Sequence, residues 1–496
     1  MGHNGAPDGA PLMKKSDLKQ KVVSGSAWTL FANVSSQAIS FLVTVVLARL
    51  LTPGDFGVVA ISAVFIGIIT LFQDVGMGAA LIQRKDIDED YLSTSFSVSL
   101  IAGVVLAALV AAVSPLVASF YREAVLRDIL LVSSIGFLLS PFTSIHTSIL
   151  SKRLEFKKVA LLTLATQCVS GSISVGMALM GYGLWSMVLG KIISQPLLIP
   201  VVWHVVKWRP RPRIIGRCFT DLFGFSSHLL GFNLLNFFAR NLDNLIIGKY
   251  LGAQPLGYYS VAYNLMLKPL QLISWSIGKV LFPVFSSIQD DPVQTRAVYL
   301  KIIRSISLIT FPMMTGLFMV AEEFILSVYG ETWRPAILPL KLLCAVGAVQ
   351  SIGTTAGVIF NSQGRSDLTL KVGSVSATGI VVGFIIGIQW GLIGLITAYI
   401  AASVPVFLLG QFYANRLIGL KMSSIFSALF PAAACSGFMV LVLAAFRYLN
   451  GSLRFEVATA LVVLILTGAA SYVVFAAKVF KVEEVNEALQ MVKRKL

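Results

Sequence analysis

Apolar runs long enough to cross a bilayer recur from residue 24 almost to the end of this chain, and each crossing needs roughly 20 residues for about 30 Å of hydrocarbon. In that water-free surrounding every backbone N–H and C=O must be satisfied within the chain, which leaves helices or a closed barrel. The period-two alternation of barrel strands is missing. The fold class expected is therefore all-α, a polytopic membrane protein. Composition agrees: 56% of residues are hydrophobic and 12% charged, against about 45–50% and about 25% in soluble domains. Cys168, Cys218, Cys344 and Cys435 lie far apart without CxxC spacing, so neither a disulfide nor a metal role is expected, and no cofactor.

The apolar pattern predicts fourteen helices, at roughly 26–48, 57–82, 93–119, 128–150, 159–180, 184–206, 222–247, 257–285, 300–321, 336–360, 369–389, 392–414, 424–446 and 455–477. Pro53-Gly54, Gly181 to Gly183, Pro210 to Pro212, Gly252, Gly330, Gly364 and Gly451 mark boundaries. Lys and Arg sit mostly in alternate loops, densest at Lys207, Arg209, Arg211, Arg213 and Arg217. The positive-inside rule then puts both termini of the multi-pass chain in the cytoplasm. The formal charge of +16 so faces anionic lipid head groups and does not point to nucleic acid.

Two passages repeat. Residues 48–59 (ARLLTPGDFGVV) align with 248–259 (GKYLGAQPLGYY), setting Leu51 over Leu251 and Gly57 over Gly257; a second echo sets Gly183 over Gly391. An offset that spans six helices, an even number, relates the halves by an axis along the membrane normal. The organisation expected is a cytoplasmic tail 1–23, a first six-helix half 24–206, a basic linker 207–221, a second half 222–414, two further helices 415–477 and a cytoplasmic tail 478–496. No loop is long enough for a catalytic domain and no P-loop is present, so neither an enzyme nor an ATP motor fits.

Ionisable residues interrupt the apolar segments, and such residues are functional candidates. Counted at about 1.5 Å per residue from each helix middle, Lys268, Lys191, Arg240 and Asp243 lie roughly 5, 6, 8 and 13 Å to the outer side of the midplane. Lys191, Arg240 and Lys268 are candidates to line a cationic, water-filled cavity between the halves that draws in an anionic substrate group; a carboxylate from another helix is the competing role for the two lysines. Arg240 and Asp243, three residues apart, could instead neutralise each other. Asp74 and Asp243 are candidates for ion coupling or for structural pairing. Lys279 suits a head-group anchor, His146 a packing role, Trp333 an outer interfacial belt, and Gly57 and Gly257 tight turns or close helix contact.

In order along the chain, VVLARLLTPGDFG, LFQDVGMGAALIQRKD, RNLDNLIIGKYLG, LGYYSVAYNLMLKP, VLFPVFSSIQDD and VYGETWRPAILPLK resemble the polysaccharide transporter family of the multidrug, oligosaccharidyl-lipid and polysaccharide exporter superfamily, most of all its Wzx-type members tied to colanic acid and other exopolysaccharides. The resemblance implies a flippase that moves an undecaprenyl-diphosphate-linked oligosaccharide to the periplasmic leaflet by alternating access. A polysaccharide polymerase and a chain-length regulator would be its partners, beside membrane lipids. The competing functions are a lipid II flippase, a cation-coupled drug exporter, whose cavity should be acidic, and a non-transporting partner in polysaccharide assembly.

Overall fold

The computed structural model describes residues 15–74, 81, 88–272, 274–453 and 456–480. Every element among them is helical. The α-helices are α1 Lys15–Leu50, α2 Pro53–Asp74, α3 Glu89–Tyr121, α4 Val125–Leu139, α5 Pro141–Lys152, α6 Phe156–Leu179, α7 Trp185–Val206, α8 Gly216–Tyr250, α9 Ala253–Leu272, α10 Ser274–Ser287, α11 Pro292–Phe324, α12 Ile337–Ser362, α13 Ser366–Gly387, α14 Gly391–Ile418, α15 Met422–Leu453 and α16 Val457–Lys478. Each predicted segment falls, where its residues are described, on one of these helices or on a consecutive pair; residues 75–80 and 82 of the second and residue 455 of the last lie outside the described residues. Among the described residues ten stretches are long and apolar enough to cross a membrane, or eleven with α4 and α5, bent by 45°, as one span. One of the ten, 366–418, holds both α13 and α14, which pack along each other. The helices α8, α9 and α10, which carry Arg240, Asp243, Lys268 and Lys279, are not among the ten.

Local chemistry sets the helix ends. Thr52 and Asp55 form a reciprocal capping box before α2, the Thr52 backbone N–H donating to the Asp55 carboxylate at 2.9 Å and the Asp55 N–H to the Thr52 hydroxyl at 3.3 Å. Asp88 caps α3, and Asp291 caps α11 with Pro292 in the first helical position. Gly181, Gly252, Gly330 and Gly364 take positive φ at helix ends, as predicted. Gly451 instead lies inside α15, which runs on to Leu453.

The chain divides into two compact units, residues 1–51 with 62–238, and 52–61 with 239–496. In the first, α1 packs along α6, α6 along α7, and α3 along α4. The basic linker is docked in this unit. Arg213 and Ile215 donate their backbone N–H groups to Ser97 and Thr94 of α3 at 3.0 and 3.2 Å, and Arg211 and Arg213 pair with Glu89 and Asp90. His146, fully buried, stacks on Trp203 and meets the Trp208 carbonyl at 3.3 Å, a packing role.

In the second unit α12 is central, contacting α9, α10, α11 and α14, while α15 and α16 pack on α11. Tyr472 of α16 donates to the Leu308 carbonyl at 2.8 Å, and Arg447 of α15 pairs with Glu323 of α11. The two C-terminal helices are thus bonded to α11 by polar groups as well as apolar ones. Tyr299, Thr355 and Gln411 form a buried hydrogen-bonded knot joining α11, α12 and α14, which satisfies polar groups that would otherwise be stranded.

The aligned glycines of α2 and α9 serve close contact and not turns. A Cβ added at Gly57 would fall on the Ala253 carbonyl oxygen, and one added at Gly257 on the Pro53 carbonyl oxygen, both inside the 3.0 Å that real Cβ atoms respect. Trp333 does not face lipid as a residue of an interfacial belt would: it is fully buried, with its ring edge-on to Phe56, Tyr258 and Tyr329.

Candidate transport site

The ionisable residues singled out in the sequence separate by environment. Lys191, in α7, is exposed, and none of the ion pairs among the described residues involves it. Arg240, in α8, is exposed, and Lys268, in α9, is half-buried. Asp243 is 3% exposed. The side chains of Asp74 and Lys279 lie outside the described residues.

Asp243 is set among tyrosines. Its Oδ2 accepts the hydroxyl of Tyr259 at 2.6 Å and its Oδ1 the backbone N–H of Asn244 at 2.8 Å. Tyr259 stacks on Tyr263, with ring centroids 5.5 Å apart and planes at 18°. Tyr399 of α14, whose hydroxyl lies near that of Tyr263, accepts from Gln350 of α12 at 2.5 Å. A carboxylate therefore sits beside a row of tyrosines, joined by one hydrogen bond and one ring stack, that runs from α8 along α9 toward α14 and α12. Such an arrangement can hold a charge in an apolar bundle, since donors to an ionised carboxylate replace the water it has lost.

Two parts of this set escaped prediction. Tyr259 and Tyr263 are four apart and share one face of α9, a signal visible in GYYSVAY. Gln350 and Tyr399 lie one each in long apolar helices, and only tertiary contact marks them. At the end of α2, Gln73 is buried and its Nε2 donates to the Phe137 carbonyl at 2.5 Å.

Comparison with known proteins settles the family. Residues 46–338, more than half of the chain, match the model of a family described as polysaccharide biosynthesis protein. The chain belongs to this family. It is 27% identical over 426 residues to the teichuronic acid biosynthesis protein TuaB of Bacillus subtilis, covering 83% of this chain and 86% of that protein. It is 26% identical over 398 residues to the lipopolysaccharide biosynthesis protein WzxC of Escherichia coli, at 80% and 81% coverage, and 24% identical over 322 residues to the succinoglycan biosynthesis transport protein ExoT of Rhizobium meliloti, at 65% of each. Among solved structures, the lipid II flippase MurJ in an inward closed conformation superposes with a TM-score of 0.71 at 15% identity, over 92% of this chain and 99% of that one. An inward-facing multidrug resistance transporter of the MATE family gives 0.59 at 14%, over 77% and 95%. At those identities the likeness is one of fold. The chain is a multi-pass membrane transporter of polysaccharide biosynthesis, and not an enzyme.

Proposed function

We propose that the protein flips an undecaprenyl-diphosphate-linked oligosaccharide from the cytoplasmic to the periplasmic leaflet of the inner membrane. In this reading both termini are cytoplasmic, the fourteen predicted segments all cross, and two six-helix repeats alternate access with two helices appended. The observation that carries it is the set of cations in the helices of an otherwise apolar bundle. Lys191 and Arg240 stand exposed and Lys268 half-buried, and a diphosphate needs cationic partners on its way through hydrocarbon. Facing lipid, each would cost about 2.5–3.5 kcal/mol. Lys191, Arg240 and Lys268 would receive the diphosphate, while the isoprenoid tail stays in the bilayer. WzxC and ExoT, named for lipopolysaccharide biosynthesis and succinoglycan transport, support the polysaccharide substrate. A drug exporter for cationic compounds is disfavoured by the same surplus of positive charge.

Asp243 is the better supported of the two carboxylates proposed for ion coupling. Its burial against Tyr259 makes its protonation state matter to the packing of α8 on α9. A counter-ion crossing 100 mV releases about 2.3 kcal/mol per charge, enough to drive a cycle to which it is coupled.

The test is neutralisation. Lys191→Gln, Arg240→Gln and Lys268→Gln, singly and together, are expected to abolish polymer export while leaving membrane insertion and detergent gel-filtration profiles unchanged. A correctly folded triple variant that exports normally would refute the cationic path and favour a non-transporting assembly role.

A further inference from the structure

The N-terminal turns of α2 and α9 cross with a symmetry that single contacts do not require. Gly57 receives the carbonyl of Ala253, and Gly257 receives the carbonyl of Pro53. Subtracting 200 from one contact gives the other: 57 meets 253 and 257 meets 53. Reciprocal contact of this kind is the signature of a two-fold axis at an interface, here a pseudo-axis between two segments of one chain. All four residues are buried. The joint depends on the absence of side chains at two positions, so it forms by a smooth approach of backbones and can part without unlocking interdigitated groups.

One aromatic ring touches both strands of the joint. Trp333 lies edge-on to Phe56 of α2, with centroids 5.1 Å apart, and edge-on to Tyr258 of α9, at 6.1 Å. It is carried on an irregular segment. A π turn over Ile325–Tyr329, Gly330 at φ +100, and a 3-10 turn over Glu331–Ala336 interrupt the run from α11 to α12. Single π turns and short 3-10 stretches recur at functional hinges, because their hydrogen-bond registers lie close to that of the α-helix and interconvert. A bulky ring on a segment of that kind can be seated or withdrawn without melting α11 or α12.

We propose that the α2–α9 glycine crossing, latched by Trp333, is the outer gate of the transporter, seen here shut. The proposal rests on the flippase reading and on the topology given with it, which puts residues 53–57, 253–257 and 333 on the periplasmic side. It assigns jobs to three residues that substrate chemistry does not use. Gly57 and Gly257 allow the closed contact, and Trp333 sets how long it lasts. Transport would require α2 and α9 to part at this point once in each cycle.

Substituted-cysteine labelling tests this in the full-length protein. Ala253→Cys is made in a chain whose four native cysteines are replaced by alanine, and a membrane-impermeant maleimide is applied to right-side-out and inside-out vesicles. In the closed gate residue 253 is buried, so labelling is slow. Adding Gly57→Ala or Gly257→Ala, each of which places a methyl group on the opposing carbonyl, is expected to raise labelling from the outer side by about tenfold, the effect of moving the closed–open balance by about 1.4 kcal/mol. Gly54→Ala, whose added Cβ would have only the Thr52 hydroxyl at 3.7 Å, is expected to leave it unchanged, and Trp333→Phe to raise it.

With glycines and tryptophan intact, cells supplied with lipid-linked substrate should label faster than cells unable to make it. Equal labelling in those two conditions overturns the gate even if the glycine variants fail to fold. So does a folded Gly57→Ala protein that labels no faster than its parent. Labelling only from the inner side overturns the topology, and therefore the outer gate, while leaving transport itself to be judged by the export assay. Loss of export after neutralising Lys191, Arg240 and Lys268, together with invariant labelling at 253, would retain the flippase and reject its gate.

Discussion

The hydrogen bond from Tyr259 to Asp243 allows a measurement that reads the charge on a buried carboxylate. The hydroxyl and the carboxylate are 2.6 Å apart, with Tyr259 fully buried and Asp243 3% exposed. Interhelical hydrogen bonds between neutral groups in membrane proteins contribute about 0.6 kcal/mol on average and about 1.7 at most, whereas bonds to a charged group contribute about 1.5–3. Tyr259→Phe removes one oxygen and keeps the ring, so stacking on Tyr263 survives and the loss is that of the bond. If Asp243 is ionised, Tyr259→Phe should therefore lower stability by about 1.5–3 kcal/mol, because the carboxylate keeps only the Asn244 N–H. If it is protonated, the loss should be near 0.6. Asp243→Asn keeps an acceptor for Tyr259 without the charge, so in that background Tyr259→Phe should lose only the smaller amount. The double-mutant cycle thus carries a coupling of about 1 kcal/mol or more for the ionised case and close to zero for the protonated one. Unfolding titrations of the purified protein in mixed micelles, run on all four chains at one pH, supply the numbers. If Tyr259→Phe costs less than about 0.3 kcal/mol in both backgrounds, half the mean for such bonds, the bond does not support the fold and the reasoning fails.

Three further outcomes follow from the packing. Arg447→Leu leaves Glu323, 17% exposed at its side chain, without its cation inside the α11–α15 contact. It should destabilise by about 2 kcal/mol, less than the about 3–5 of fully buried pairs, and Glu323→Gln added to it should recover most of that, as midpoints in the same titration. Gly103→Val places a side chain on the Phe137 carbonyl, where overpacking costs about 1–3 kcal/mol; thermal stability should fall, while Gly176→Ala, which meets nothing within 4 Å, should be silent. Ser97→Ala with Thr94→Val removes the two hydroxyls that hold the backbone of the linker. Trypsin should then cut after Arg213 several times faster in inside-out vesicles, and an unchanged rate would mean that the ion pairs to Glu89 and Asp90 suffice.

The architecture was legible in the sequence because its causes are local. Runs of apolar residues made the helices, and Pro53, Gly181, Gly252, Gly330 and Gly364 made their ends, each by a property of a single residue. Gly57 and Gly257 could be singled out too, since they stand at the same place in matching words. Their role was not legible. A glycine that opens a turn and a glycine that admits a neighbouring backbone look alike in one dimension, and only the carbonyls of Ala253 and Pro53 decide between them. Trp333 failed for a related reason. Tryptophan favours membrane boundaries on average, and nothing within VYGETWRPA reveals that Phe56, far away along the chain, will lie against its ring. Gln350 and Tyr399 were invisible because a lone polar residue in an apolar helix carries no mark of its partner.

The same limit applies to Arg240 and Asp243. Spaced three apart on one helix, they offered mutual neutralisation as the simplest account of two charges in an apolar run. In the fold the carboxylate turns inward, and both of its oxygens accept hydrogen bonds, one from Tyr259 and one from the Asn244 N–H. The guanidinium stays exposed. A hydroxyl donates to the carboxylate without carrying a charge of its own, so Tyr259 helps to hold Asp243 in an apolar bundle. Asp243→Leu should destabilise the second unit by stranding the Tyr259 hydroxyl, whereas Asp243→Asn, which keeps an acceptor for it, should lose less, and equal losses of stability in the two variants would show that this hydrogen bond does not support the fold.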